Sequence, residues 1–196
     1  MKSKYLWKPK NEITNSSLLN NFFDLLEKKK YLKNNKNFFE LWKWTNQNPE
    51  VFWSEFWDFS KIVGFKGKEI IKRNRVFNKT LFFPDSKINY TENILKKKNE
   101  SLIINFLSES GFEEKITWKL LYEKVCKFSS YLKSLNLKKG DRVAAYVPNK
   151  IESIISFLAC AKNGIIWSSC SPDFGSQGVI DRFKQIDPKI LIITDY

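Results

Sequence analysis

Between residues 16 and 31 apolar side chains recur at three- and four-residue intervals, and Leu18, Leu19, Phe22, Phe23, Leu25 and Leu26 share one broad face. That period predicts a helix, with Asn15, Ser16 or Ser17 available to cap its start. A second, shorter helix is expected over residues 37–44. A third is better marked: Asn48 is the expected cap, Pro49 suits the first helical position, and Val51, Phe52, Phe56, Trp57 and Phe59 form its apolar face. Residues 60–100 are irregular. The run V-F-N-K-T-L-F-F-P predicts a short strand ending before Pro84. Residues 88–98 predict a turn and a short helix whose lysines suit the negative end of its dipole.

Beyond residue 100 the rhythm becomes regular. A strand is expected over 102–107, then a helix starting at 116–117 and running to about 135, with Thr117 as its cap and Leu120, Leu121, Val125, Phe128 and Leu132 inward. A turn at 137–141 leads to a buried strand over 142–147. A helix over 151–163 is stopped by Gly164. A strand over 165–169, a helix from Gly175 or Ser176 to 186, and a strand over 189–194 follow. Strands alternating with helices of this length predict right-handed crossovers and a mostly parallel sheet. The fold class expected is therefore α/β, with a helical N-terminal extension over about 1–100 and the first β-α-β units of a second domain over 101–196.

Composition changes this picture in three ways. With 196 residues and 42% hydrophobic side chains the chain can bury a substantial core. No apolar run reaches the eighteen or so residues of a membrane span, and the basic start M-K-S-K-Y-L-W-K-P-K has no apolar segment behind it to make a secretory signal. The three cysteines, Cys126, Cys160 and Cys170, are odd in number and form neither a CxxC pair nor a zinc pattern, so a reducing, cytoplasmic setting is expected.

The formal charge of +13 raises a nucleic-acid reading. Thirty lysines against four arginines argue against it, because base and phosphate readers favour the guanidinium fork. Trp42, Trp44, Trp53 and Trp57 suggest a stacking platform on one reading and helix packing on the other; their helical spacing favours packing. The absence of histidine removes the commonest general base and metal ligand, so a self-contained hydrolase or metalloenzyme is not expected.

No phosphate-loop, dinucleotide or nucleophile-elbow motif is present, and no metal-ligand cluster. What remains is the stretch W-S-S-C-S-P-D-F-G-S-Q-G-V-I-D-R at 167–182, which reads as the end of a buried strand, a loop and the first turns of a helix. In α/β sheets that junction is where ligands are held. Asp173 is its best-placed carboxylate, with helix capping as the competing role. Cys170 is a candidate lining residue. Arg182, beside Asp181, reads as a solvated or packing arginine, and Gly140-Asp141 as a tight turn.

Three runs, G-D-R-V-A-A-Y-V-P-N at 140–149, L-A-C-A-K-N-G-I-I-W-S-S-C-S-P-D-F-G at 158–175 and D-R-F-K-Q-I-D-P-K-I-L at 181–191, resemble the acetoacetyl-CoA synthetases. These form part of the acyl-CoA synthetase branch of the adenylate-forming (AMP-binding) superfamily. The N-terminal half agrees, with W-x-P at 7–9, L-W-x-W at 41–44, N-P-E-V-F-W-S-E-F-W-D-F at 48–59, and F-F-P-D-S-K-I-N-Y-T-E-N at 82–93. The last is similar to the family's W-F-P-G-A-x-L-N-Y-A-E-N, with Asp85 and Ser86 in place of Gly-Ala and Phe82 in place of tryptophan.

The resemblance implies a two-step ligase. Acetoacetate and ATP form an acyl-adenylate and pyrophosphate, and the CoA thiol then displaces AMP. ATP, CoA and, in the full-length enzyme, Mg2+ are the implied cosubstrates and cofactor; small molecules are the implied partners, with no nucleic acid and no membrane. The family's P-K-G phosphate loop, ribose-binding aspartate and C-terminal lysine match no position here, so the chain is expected to be an inactive N-terminal piece with an incomplete adenylation domain, without catalytic or metal residues. The one site carried over is a CoA-side loop containing Ser171, Pro172 and Asp173. A sibling acetyl- or propionyl-CoA synthetase and a basic nucleic-acid-binding module are the alternatives.

Overall fold

The computed structural model describes residues 6–33 and 36–194. Four helices come first: α1 (Asn11–Asn15), α2 (Leu18–Lys28), α3 (Phe38–Gln47) and α4 (Pro49–Phe59). Short strands follow: β1 (Gly64–Phe65), β2 (Ile71–Lys72), β3 (Leu81–Phe82) and β4 (Lys87–Ile88), then helix α5 (Tyr90–Ile94). The regular part comprises β5 (Leu102–Leu107), β6 (Glu113–Thr117), α6 (Trp118–Ser134), β7 (Arg142–Tyr146), α7 (Ile151–Lys162), β8 (Ile166–Cys170), α8 (Ser176–Ile186) and β9 (Ile190–Ile193). The chain divides into two compact units, one of residues up to Ile62 with Lys66–Ser86, the other of Val63–Phe65 with residues from Lys87 onward.

The first unit holds α1 to α4 and the β2–β3 pair, which is antiparallel. Ser17, among the three expected caps, accepts from the Asn20 amide at the start of α2. Its core is Phe22, Phe23, Leu26 and Leu41, all buried, whereas Leu18 and Leu19 stay exposed. Phe22 sits among Phe52, Phe56 and Phe59 of α4, with ring centroids 4.9–6.2 Å apart. Trp44 packs on Tyr31, Trp53 on Phe82 and Trp57 on Phe83, so these rings serve packing, while Trp42 is exposed. Asn48 departs from expectation: its side chain turns back to donate to the Trp44 carbonyl and closes α3, and α4 begins on Pro49 without a side-chain cap. Glu55 is buried and bonded to the Lys29 ammonium, with the Tyr31 hydroxyl as a second donor. That ion pair raises the lysine pKa.

In the second unit the sheets are not one parallel array. β8, β7 and β9 form a three-stranded parallel sheet in the order β8-β7-β9. β5 pairs antiparallel with β6, and β1 antiparallel with β4. The expected mostly parallel sheet is therefore confined to three strands, and residues 116–117 end β6 instead of opening a helix. Thr117 still caps α6, accepting from the Leu120 amide. Packing explains the layering. Val143, Ile165, Trp167, Ile190 and Ile192 cluster with α6 and α7 on one side of the sheet. Ala144, Tyr146 and Cys170 meet Val179, Phe183 and Ile186 of α8 on the other. Successive residues of a strand point to opposite faces, so the apolar run R-V-A-A-Y feeds both layers.

The polar residues of I-N-Y-T-E-N have structural work. Asn89 accepts from the Glu92 amide, capping α5, while its amide nitrogen donates to the Ala161 and Lys162 carbonyls at the end of α7. Thr91, buried, donates to the Leu158 carbonyl at 2.7 Å. Asn93 exchanges two 2.9 Å bonds with the backbone of Val63. Thus α5 seals the C-terminal end of α7, where carbonyls lack helical partners, and Gly164 follows in the left-handed region at φ 69°.

Candidate functional site

The strand order sets the place of the site. From β7 the chain runs through α7 to β8 on one side, then returns through α8 to β9 on the other. With α7 and α8 on opposite faces, the carboxyl end of this sheet is the end at which open α/β sheets hold ligands.

Two features occupy this end. One is a cleft of about 580 Å³, lined by Val147, Pro148 and Lys150 after β7, by Ile192 to Thr194, by Trp167, and by Phe106 and Phe112 of the β5–β6 hairpin. The other is the loop from Ser171 to Gly175, between β8 and α8. Ser171 and Pro172 are half-buried and Asp173 is exposed. The structure brings Ser171 and Asp173 together: the Ser171 hydroxyl donates to Asp173 Oδ2 at 2.6 Å, and the Phe174 amide donates to the Ser171 carbonyl at 3.1 Å. The Asp173 carboxylate does not cap α8, which starts after Gly175 without a side-chain cap.

Residues outside the loop fix its inner side. Tyr146, the last residue of β7, directs its hydroxyl to the carbonyls of Pro172 and Phe174, at 2.8 and 3.0 Å. The guanidinium of Arg182 lies 4.3 Å from the centroid of the Phe174 ring, a cation–π contact one helix layer away. Sequence reasoning missed Tyr146, since nothing in R-V-A-A-Y-V-P sets its ring apart from an ordinary strand residue. It assigned Arg182 a solvated or packing role, and packing is what the stacking shows.

Other candidates resolve as structure. Cys170 is the buried last residue of β8, beneath α8, and does not line the loop. Cys160 is fully buried in α7, and burial pushes its thiol pKa up to about 12. Asp141 accepts from the Lys138 amide at 2.7 Å and pairs with Lys189 at 2.8 Å, which together hold its carboxyl below the ordinary range. Among the described residues no group of three or more His, Cys, Asp or Glu is placed to hold a metal ion, and no helix is long and apolar enough to cross a membrane.

The family model of AMP-binding enzymes matches residues 92–196. The acetoacetyl-coenzyme A synthetase of Rhizobium meliloti (strain 1021) is 36% identical over 191 residues, which cover 97% of this chain and 29% of that protein. The acetoacetyl-CoA synthetase of Xenopus tropicalis is 40% identical over 163 residues, 81% of this chain and 24% of its own length. A malonamoyl-CoA synthetase of Penicillium aethiopicum is 30% identical over 171 residues, 83% of this chain and 24% of its own. The solved acetoacetyl-CoA synthetase from Streptomyces lividans superposes with a TM-score of 0.87 at 24% identity, over 97% of this chain and 30% of that one, and shows the shared fold. The chain thus spans less than a third of the length of each.

Proposed function

We propose that this chain, which belongs to the AMP-binding enzyme family, is the N-terminal part of an acetoacetate–CoA ligase. The carrying observation is the 36% identity to an acetoacetyl-coenzyme A synthetase over 97% of the chain. In the reaction, a carboxylate oxygen of acetoacetate attacks the α-phosphorus of ATP and pyrophosphate leaves. The CoA thiol then loses its proton and attacks the acyl carbon, and AMP leaves. Residues 1–100 form the N-terminal helical region in this reading, and 101–196 open the adenylation domain.

The role assigned to this chain in the second step is one wall of the CoA site, made by Ser171, Pro172 and Asp173. What supports it is their place beyond β8 at the ligand end of the sheet and the exposure of Asp173. No described residue is assigned to the acyl transfer or to pyrophosphate release, and among the described residues no group of three or more His, Cys, Asp or Glu gathers, so no step is routed through the Mg2+ that the family implies. The three free cysteines suit a cytoplasmic setting.

Acetoacetate-dependent exchange between ATP and labelled pyrophosphate tests the reading. The complete protein that carries this chain exchanges label with acetoacetate, and acetate and propionate compete poorly. The 196-residue chain alone shows no exchange, and robust exchange by it overturns the assignment of catalysis to residues outside it. A sibling ligase for another small acid is the second reading, favoured by the malonamoyl-CoA synthetase relative; preference for malonamate over acetoacetate in the same assay would select it.

A further inference from the structure

The loop proposed to meet CoA is bonded within itself through Ser171, to Asp173 and Phe174, and it is also fixed from two directions. On the β7 side, Tyr146 offers a single hydroxyl proton to two carbonyls, Pro172 at 2.8 Å and Phe174 at 3.0 Å, a three-centre arrangement spanning the loop. Its ring packs with Ala144, Cys170, Val179 and Phe183 beneath the loop, so the hydroxyl is carried on a body that the core holds still. One residue further on, the Val147 amide donates to the Cys170 carbonyl at 3.1 Å and ties the root of the loop to β7. On the α8 side, Arg182 stacks on the Phe174 ring.

The choice of arginine is informative. In a chain with thirty lysines and four arginines, a guanidinium at position 182 has what a lysine lacks, a planar, delocalised face suited to a ring, and its central carbon lies over the Phe174 ring. Arg142 has a comparable geometric task, with Nε and Nη2 both 3.2 Å from the Asp187 carbonyl. Both contacts to the 172–174 segment draw it inward, by its carbonyls and its ring, and leave the Asp173 side chain facing solvent.

We propose that Tyr146 is the positioning residue of this loop: its hydroxyl, helped by Arg182 stacked on Phe174, presets residues 171–174 in the shape that receives CoA. This rests on the reading of the loop as a CoA wall. A ligand meeting a preset loop does not lose affinity to ordering it, so Tyr146 acts on CoA affinity without touching CoA or the reacting atoms.

The test compares Tyr146→Phe and Arg182→Lys with Ser171→Ala and Asp173→Ala in the complete ligase. Tyr146→Phe and Arg182→Lys are each expected to raise KM for CoA about fivefold while kcat and KM for ATP change less than twofold. In the 196-residue chain, Tyr146→Phe is expected to speed exchange of the Phe174 amide about tenfold and to leave β7 to β9 unchanged. If Ser171→Ala and Asp173→Ala raise KM for CoA but Tyr146→Phe and Arg182→Lys do not, the positioning role is wrong and the CoA wall stands. If none of the four variants moves that KM, the wall itself is wrong. Equal rises for CoA and ATP mean a general structural role and overturn the proposal. Should Tyr146→Phe fail to fold, Arg182→Lys decides by the same readouts.

Discussion

Replacing Thr91 by valine removes one hydroxyl and keeps the shape of the side chain. Thr91 is 1% exposed, and its Oγ1 donates to the Leu158 carbonyl at 2.7 Å across sixty-seven residues of sequence. Leu158 lies four residues before the end of α7, so its carbonyl also has the Lys162 amide as its helical partner and is not orphaned by the change. The loss is then one net hydrogen bond, about 1 kcal/mol. Thr91→Ser keeps the bond and deletes a buried methyl, about 1 kcal/mol of transfer and cavity together. Thr91→Ala loses both, about 2 kcal/mol. Native-state hydrogen exchange at the buried amides of α7 reads the opening free energy of this unit directly. A tenfold change corresponds to about 1.4 kcal/mol, so Thr91→Val should speed exchange there about fivefold and Thr91→Ala about thirtyfold. If the valine variant exchanges at the wild-type rate, the hydroxyl adds nothing and the account of this contact is wrong. If alanine is no worse than valine, the packing half of the account fails.

Two further outcomes follow from titratable groups. The folded pKa of Asp141 lies below its ordinary value near 3.8 because of the Lys138 amide and the Lys189 ammonium. Its ionised form therefore stabilises the fold above that value, and the contribution is lost as pH falls through the lower, folded value. Asp141→Asn should be less stable than the parent in urea at neutral pH, with the gap closing in acid below about pH 3.8; a gap that stays constant with pH refutes the ion pair. Among the thiols, Cys126 is partly exposed while Cys160 and Cys170 are buried, the former with its pKa pushed up to about 12. Brief alkylation of the native chain, read by mass spectrometry of its peptides, should mark Cys126 alone. Rapid labelling of Cys160 would show that α7 is not packed as described.

What could be read from residues alone was whatever burial writes into a periodic pattern. α6, α7 and β7 are apolar on a full face or on both, so their positions were legible to within a residue or two. β6 was not, because Glu113–Thr117 contributes one buried apolar side chain, Ile116, and spends the rest on a half-solvated hairpin. Missing β6 also hid the partner of β5, and with it the antiparallel direction of that pair, since alternation says which face is buried and not which neighbour is bonded. Asn48 misled for a different reason: an asparagine between two helices can serve either, and its side chain serves the earlier one. At the candidate site, the loop Ser171 to Gly175 was found from its place after a strand expected to be buried, although β8 is buried at Cys170 alone; Tyr146 meets the loop through its terminal oxygen, which leaves no periodic trace.

The seal that α5 places on α7 has a consequence for synthesis. Asn89 and the Ala161 carbonyl it bonds are 72 residues apart. At about 5–20 residues per second, the acceptor is made roughly 4 to 14 s after the donor. Through that interval Leu95 lacks the α7 side of its core cluster, and Tyr90 lacks the Phe157 ring it meets. Residues 89–95 thus wait for α7 to complete their packing and their hydrogen bonds, and α7 is the element whose arrival locks them in place.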